Sequence, residues 1–225
     1  MRDVTVIIPA AGSGRRFGAG HNKIFALLAG QPILLRTVSL FAGRADVCQV
    51  QLVVSADDHN RVHAEFGEEL DRLGVELTVG GLTRSQSVRN ALAKLSPQGR
   101  WVCVHDAVRP CVSSLWVDAV FDKARATGAA ILAYPVHGTL KLADEQGVIA
   151  ATLPRQELWE AQTPQVFERS LLERAYAGGA DATDDAHLVE RLGQPVSVVP
   201  GDPRNIKITT PRDLELARAV LGSLP

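Results

Sequence analysis

VIIPAAGSGRRFGAGHNKIF, residues Val6 to Phe25, is an apolar run that breaks into glycines and basic side chains. It has the look of a phosphate-binding loop set directly after a β-strand, and two common loops of that kind are recognised by glycine spacing. A dinucleotide-binding loop carries G-x-G-x-x-G and passes straight into a helix whose N-terminus holds the pyrophosphate. Here Gly12, Gly14 and Gly18 are one residue too widely spaced, and Gly20, His21 and Asn22 leave no clean helix start. A P-loop needs Gly-Lys-Ser/Thr after its last glycine, whereas this chain has Gly14-Arg15-Arg16. Both standard patterns fail. What remains is a long glycine-rich loop with Arg15, Arg16 and Lys23 spaced along it. Backbone N–H groups at Gly12 to Gly14 can reach phosphate oxygens, because glycine permits the turn and the close approach. Arg16 and Lys23 then bracket a polyphosphate from two sides. A solvated surface turn is the plainer reading of basic residues, but it accounts less well for their place at the ligand edge of a sheet.

Outward from this loop, β-type runs alternate with amphipathic helical stretches. The runs begin at Val4, Val50, Val75, Trp101, Ala129 and Pro195, and the helical patterns cover 58–73, 84–95, 113–127 and 169–176. Continuous apolar strands separated by helices predict an α/β fold with a mostly parallel sheet covered on both faces. Ligands bind beyond the carboxyl ends of the strands in such sheets. A chain of 225 residues, 46% of them hydrophobic, suits a single domain over 1–225. Segment 137–155 departs from the pattern: two alternating runs flank Asp144-Glu145-Gln146-Gly147, which predicts a protruding β-hairpin arm. A lone hairpin is marginal in water, so either a second subunit or the body of its own chain is expected to cover it.

A formal net charge of −1 gives no global attraction to nucleic acid or to an anionic membrane, so an anion site must be a local cluster of Arg and Lys. No apolar run approaches the roughly 20 residues that span a bilayer. With β-type sequence from Val4, no targeting peptide is expected. Cys48, Cys103 and Cys111 are odd in number and far apart, which suits reduced, mostly buried thiols in a cytoplasmic protein.

Three further segments carry chemistry. Val104-His105-Asp106-Ala107-Val108-Arg109-Pro110 follows the fourth β-run. Asp106 there suits Mg²⁺, which takes one or two carboxylates and completes its shell with water and phosphate oxygens. Arg109 offers a bidentate fork to a second anion. An Asp N-cap and a surface Arg are the plainer readings of either residue alone. Gly80-Gly81 exposes backbone that can read the edge of a base, with Ser85 or Ser87 near a helix start and Thr83 as its N-cap. Lys207 sits in an expected short strand before a final helix that opens on Thr210-Pro211 in N-cap and N1 style. His59 and His63 are one helical turn apart, yet no further zinc ligand is evident. No G-x-S-x-G elbow marks a hydrolase.

Taken in order, Pro9-Ala10-Ala11-Gly12-Ser13-Gly14-Arg15-Arg16 with Lys23, Gly80-Gly81 with Arg84 and Ser87-Val88, His105 to Pro110, Gln162-Thr163-Pro164-Gln165, Thr183-Asp184-Asp185 and Asn205-Ile206-Lys207 resemble the 2-C-methyl-D-erythritol 4-phosphate cytidylyltransferases of the non-mevalonate isoprenoid pathway. The resemblance covers nearly the whole chain. It implies a Rossmann-like nucleotidyltransferase fold with a dimerising β-arm, hence a homodimer. It also implies transfer of CMP from CTP to an alcohol phosphate with Mg²⁺, Asp106 serving metal and substrate. CTP would contact Ala10, Ala11, Gly12, Arg16, Lys23, Gly81, Leu82, Ser87 and Ala107, while Arg109, Thr139, Arg155, Thr163 and Lys207 would hold the acceptor, some from the partner's arm. Arg16, Lys23, Asp106 and Lys207 would carry the catalytic charge. The chain departs from the family pattern at Asn22, where proline is common, at Leu82, often acidic, and at Gly138 and Pro154, often aspartate.

The implied reaction needs no general base, because an acceptor phosphate with a second pKa near ~6 is already largely dianionic at neutral pH. The nearest alternative is a cytidylyltransferase for another polyol phosphate such as ribitol 5-phosphate, since Gly138 and Pro154 lie where acceptor choice is made. A GTP- or UTP-dependent nucleotidyltransferase would be expected to lack the Arg84…Ser87 and Thr163-Pro164-Gln165 context. An NAD-binding Rossmann protein would need the correct glycine spacing and an acidic residue ending the second strand, near which Asp57 does lie.

Overall fold

Residues 2–12, 17 and 22–225 are described by the computed structural model; Arg15 and Arg16 of the opening loop lie outside them. From the N-terminus, β1 (Val4–Pro9) leads through the loop to a 3-10 turn (Lys23–Phe25), the short β2 (Leu27–Leu28) and β3 (Gln31–Pro32), and α1 (Ile33–Ala42). Next come β4 (Val47–Val54), α2 (Ala56–Arg72), β5 (Val75–Val79), α3 (Arg84–Leu92), β6 (Trp101–Val104), α4 (Ser114–Thr127) and β7 (Ala129–Pro135). The arm is β8 (Leu140–Ala143) and β9 (Ile149–Leu153), followed by β10 (Trp159–Glu168), α5 (Arg169–Ala177), α6 (Asp185–Glu190), β11 (Ser197–Pro200) and α7 (Pro211–Val220).

The main sheet has seven strands in the order β11-β7-β10-β6-β1-β4-β5. β1 pairs in parallel with β4 and β6, β4 with β5, and β11 with β7; only β10 runs antiparallel to its two neighbours. Successive side chains of each central strand enter opposite layers. Val6 and Ile8 face a core shared with α1, α4 and α7, while Ile7 faces one shared with α3, α5 and α6. Both faces are buried, so the strands read as unbroken apolar runs. The chain steps from β1 to β4 and β5 on one side, then returns to place β6 on the other side of β1. That reversal opens a crevice beyond the carboxyl ends of β1 and β6, where ligands bind in sheets of this kind.

The six expected β-runs are strands and the four expected helical stretches are helices. Thr83 caps α3 through Gln86 N–H, and Thr210 caps α7 in a capping box with Asp213, with Pro211 at the first helical position. Several elements go beyond the sequence pattern: α1, α6 and β10, with the 3-10 turn and the short β2 and β3. One expectation is corrected. Lys207 is not in a strand; its segment carries no regular structure and is held instead by Ile208 N–H donating to Val108 O at 2.8 Å. Cys103 and Cys111 are buried and Cys48 partly so, all three as free thiols.

The arm is an antiparallel hairpin closed by Asp144, whose Oδ1 accepts from the N–H groups of Gln146 and Val148, with Gly147 at φ +81°. Leu140 is partly buried and the other strand residues of the arm are exposed. Leu142 is 54% and Ile149 60% exposed.

Candidate active site

A cavity of about 500 Å³ occupies the crevice. Pro9, Ala10, Ala11 and Gly12 leave β1 along one wall; Asn22, Lys23 and Ile24 return from the loop; Gly81, Leu82, Thr83, Arg84 and Ser87 form the side toward α3; Asp106, Val108 and Lys207 lie opposite. Ala107 sits beneath this wall, fully buried, with its carbonyl accepting from Thr37 Oγ1 at 2.8 Å. Arg16 falls outside the described residues.

Asp106 is the electrostatic centre. Its Oδ2 is 2.7 Å from Lys207 Nζ, its Oδ1 accepts from Arg84 Nε at 3.2 Å, and Arg109 Nε stands 3.9 Å away. Burial pushes its carboxyl up, but Arg84, Lys207 and Arg109 together hold it well below the ordinary carboxylate range. Arg84 reaches on to the fully buried Asp185 at 2.7 Å, and Asp185 also accepts from the Tyr176 hydroxyl. Burial works against the Arg84 charge, yet the two carboxylates raise its pKa well above the usual value. The Nη1 of Arg84 and the Nε of Arg109 are buried with no hydrogen-bond partner among the described residues. Three cations against two carboxylates leave the wall with one net positive charge and two orphaned donors. Such a surface is built to receive an anion.

Polar residues of β10 fix this wall. Thr163 Oγ accepts from Asp106 N–H at 3.1 Å and donates to His105 Nδ1 at 3.1 Å, while His105 Nε2–H donates to Arg109 O at 3.0 Å. Burial holds His105 neutral, with its pKa lowered to about 4. The Asn205 side-chain Nδ2 donates to Thr163 O at 2.9 Å, and the Asn205 backbone carbonyl accepts from Arg109 Nη1 at 2.7 Å. Gln165 Oε1 accepts from Asp185 N–H and Ala186 N–H, both at 3.0 Å, and so seats the first turn of α6.

On the opposite side the Gly80-Gly81 loop lies hard against α3. A Cβ at Gly80 would stand 2.7 Å from Ser87 Oγ, and one at Gly81 2.4 Å from Gln86 Cβ. The N–H groups are spent inward: Gly80 to Val54 O, Gly81 to Ser87 Oγ and Leu82 to Gln86 Oε1. What this loop has left to offer a base is carbonyl oxygen, an acceptor.

The structure therefore gathers Ala10, Ala11, Gly12, Lys23, Gly81, Leu82, Ser87, Asp106 and Lys207 around one cavity, with Arg109 beside Asp106. Thr139 and Arg155 are not among its lining residues; both are exposed at the base of the arm, where Arg155 Nη1 donates to His137 O. Arg84, Asp185, His105 and Asn205 stood in the sequence motifs without a role; their signal is polar or charged chemistry placed where the fold is buried.

These features define a nucleotidyltransferase-type α/β site. Residues 4–223 match the family model of 2-C-methyl-D-erythritol 4-phosphate cytidylyltransferase, and the chain belongs to that family. It is 45% identical to the 2-C-methyl-D-erythritol 4-phosphate cytidylyltransferase of Solibacter usitatus, over 97% of this chain and 95% of that one. It is also 45% identical to the Chromobacterium violaceum protein of the same name, over 96% and 97%. Among solved structures, that of the Thermus thermophilus enzyme superposes with a TM-score of 0.80 at 35% identity, covering 98% of this chain and 99% of the other.

Proposed function

We propose that this chain, read as one nucleotidyltransferase domain, transfers CMP from CTP to 2-C-methyl-D-erythritol 4-phosphate and releases pyrophosphate. Family membership supports the reaction, and the observation that carries the site is the convergence of Lys207, Arg84 and Arg109 on Asp106 beside the glycine-rich loop.

The acceptor phosphate oxygen attacks the α-phosphorus of CTP in line with departing pyrophosphate. Because a phosphate monoester is already largely dianionic above its second pKa near ~6, no side chain has to remove a proton. His105 is suited to no such task, being buried with both ring nitrogens engaged. The barrier is repulsion between two polyanions, so catalysis consists of positioning and charge neutralisation. Lys23 and, by its place in the motif, Arg16 stabilise the five-coordinate phosphorus. Arg109 and Lys207 draw in the acceptor phosphate, with Thr163 holding the turn that carries Asp106 and Arg109. Carbonyl oxygens of the Gly80-Gly81 loop accept from the exocyclic amino group of cytosine and oppose the O4 of uracil, which selects CTP over UTP.

Among the described residues no group of three or more His, Cys, Asp or Glu gathers to cage a metal. A single carboxylate fits Mg²⁺ that arrives on the triphosphate, with Asp106 as its protein ligand. Bound there, the ion would neutralise charge on the phosphates.

The exposed apolar arm supports a homodimer, in which each arm brings Thr139 and Arg155 to the partner's acceptor site. No helix among the described residues is long and apolar enough to cross a membrane; a cytoplasmic location is proposed from the family's biosynthetic reaction. Phosphorus NMR of the products tests the chemistry. A new diphosphate diester alongside free pyrophosphate is expected; CDP or inorganic phosphate as the product would overturn attack at the α-phosphorus.

A further inference from the structure

Asn22 ends the glycine-rich loop, and its amide is fully used. Nδ2 donates to Ala10 O at 3.3 Å and to Asp58 Oδ2 at 2.8 Å, while Oδ1 accepts from Ile24 N–H at 3.3 Å. Ala10 is where the chain leaves β1, so one side chain ties the two ends of the loop together. Asp58 lies in the first turn of α2, where a carboxylate suits the positive end of the helix dipole. It is steadied there by Ser55 Oγ–H at 2.8 Å. The bond to Ile24 N–H also caps the 3-10 turn whose first residue is Lys23. On the far side of Lys23 the turn is anchored again, by the buried Ile24 and by Phe25 stacked on Phe66 of α2 with ring centroids 6.2 Å apart.

We infer that Asn22 and Asp58 are positioning residues for nucleotide transfer: the pair closes the neck of the glycine-rich loop and sets Lys23 against the triphosphate. The inference rests on the assignment of Lys23 to the triphosphate made above. A lysine has a long, flexible stem, and a charge stabilises a transition state only when its position is fixed beforehand. The neck bonds supply that at the backbone. A proline at this position would fix φ but could make none of the three side-chain bonds.

The test is a swap. Asn22→Asp sets two carboxylates face to face across the neck, and the pair Asn22→Asp with Asp58→Asn restores a donor and an acceptor in reversed order. Ala10 O still lacks its donor in the swap, so recovery is partial. Asn22→Asp is expected to lower kcat for CTP-dependent pyrophosphate release by roughly tenfold or more, a displacement of well under 1 Å sufficing for such a loss. Its thermal midpoint should stay close to that of the unchanged protein, and the double variant should regain at least about a third of the lost factor, since directly contacting partners couple. A kcat for Asn22→Asp equal to that of the unchanged protein overturns the inference, as does a double variant no faster than the single one. A fall in kcat matched by a collapse of the thermal midpoint also overturns it, since the pair would then serve folding alone. If the unchanged protein releases no pyrophosphate from CTP, the reading of the whole site fails and the role of the pair with it.

Discussion

In the proposed reaction Asp106 and Lys23 have different tasks. Asp106 gathers Arg84 and Lys207 on one wall of the cavity, and Lys23 lines the loop side, where the proposed reaction sets the triphosphate. Lys23→Ala should therefore lower kcat by about 10²–10³, the loss typical of one preorganised group stabilising developing charge, with a much smaller rise in KM for CTP. Steady-state pyrophosphate release measures both, and a loss confined to KM would contradict a transition-state role. His105 answers to a different variable. Its folded-state pKa of about 4 lies below the usual imidazole value, so the unfolded chain binds a proton that the folded chain refuses. Stability is then complete above about pH 6.5 and falls as pH drops toward 4, by up to about 3 kcal/mol. The low pKa of Asp106 adds loss only at more acid pH. Urea midpoints at pH 7 and pH 4.5 check this: a His105→Asn variant, though weaker overall, should show a shallower acid dependence, and equal slopes would refute it.

At the scale of elements, the loop at Gly80-Gly81 is held so close to α3 that a side chain there fits only if something shifts. Gly81→Ala places a methyl 2.4 Å from Gln86 Cβ and 2.9 Å from its Oε1. Relieving that contact at an overpacking cost of about 1–3 kcal/mol shifts the loop and the Leu82 N–H bond. KM for CTP should rise roughly tenfold to a hundredfold; an unchanged KM would show that the loop does not meet the base. The strands that build this crevice were legible because both faces of the sheet are buried and their runs are continuous. β10 was not, because Gln162, Thr163 and Gln165 interrupt its hydrophobicity. Each is buried and hydrogen-bonded: Gln162 to Asp202 O at 2.8 Å, Thr163 to the Asp106 turn, Gln165 to α6. A strand that spends its centre on supporting a site does not look like a strand. Asp185 was hidden for a related reason. An acidic residue reads as surface until the fold brings Arg84 and Tyr176 to it. Lys207 misled in the other direction, since Ile206 and Ile208 alternate around it as in a strand, while Ile206 N–H turns back to Arg204 O and Ile208 N–H reaches Val108 O.

For the whole molecule, the arm exposes Leu142, Val148 and Ile149, and Thr139 and Arg155 sit at its base, outside the cavity lining. A two-fold dimer makes each subunit supply the same arm to the other. Mixing Lys23→Ala with Arg155→Ala, each inactive alone, should then restore about a quarter of the unchanged activity in randomly reassorted dimers. No restoration would place Arg155 at the site of its own chain. The central claim, that a cationic wall around Asp106 brings CTP and a polyol phosphate together, is tested most directly by pyrophosphate release with Mg²⁺. CTP, UTP, GTP and ATP are each combined with 2-C-methyl-D-erythritol 4-phosphate and with ribitol 5-phosphate. Release with CTP and 2-C-methyl-D-erythritol 4-phosphate is the expected result. Release with only ribitol 5-phosphate would contradict the acceptor, and release from no pair would contradict the enzyme.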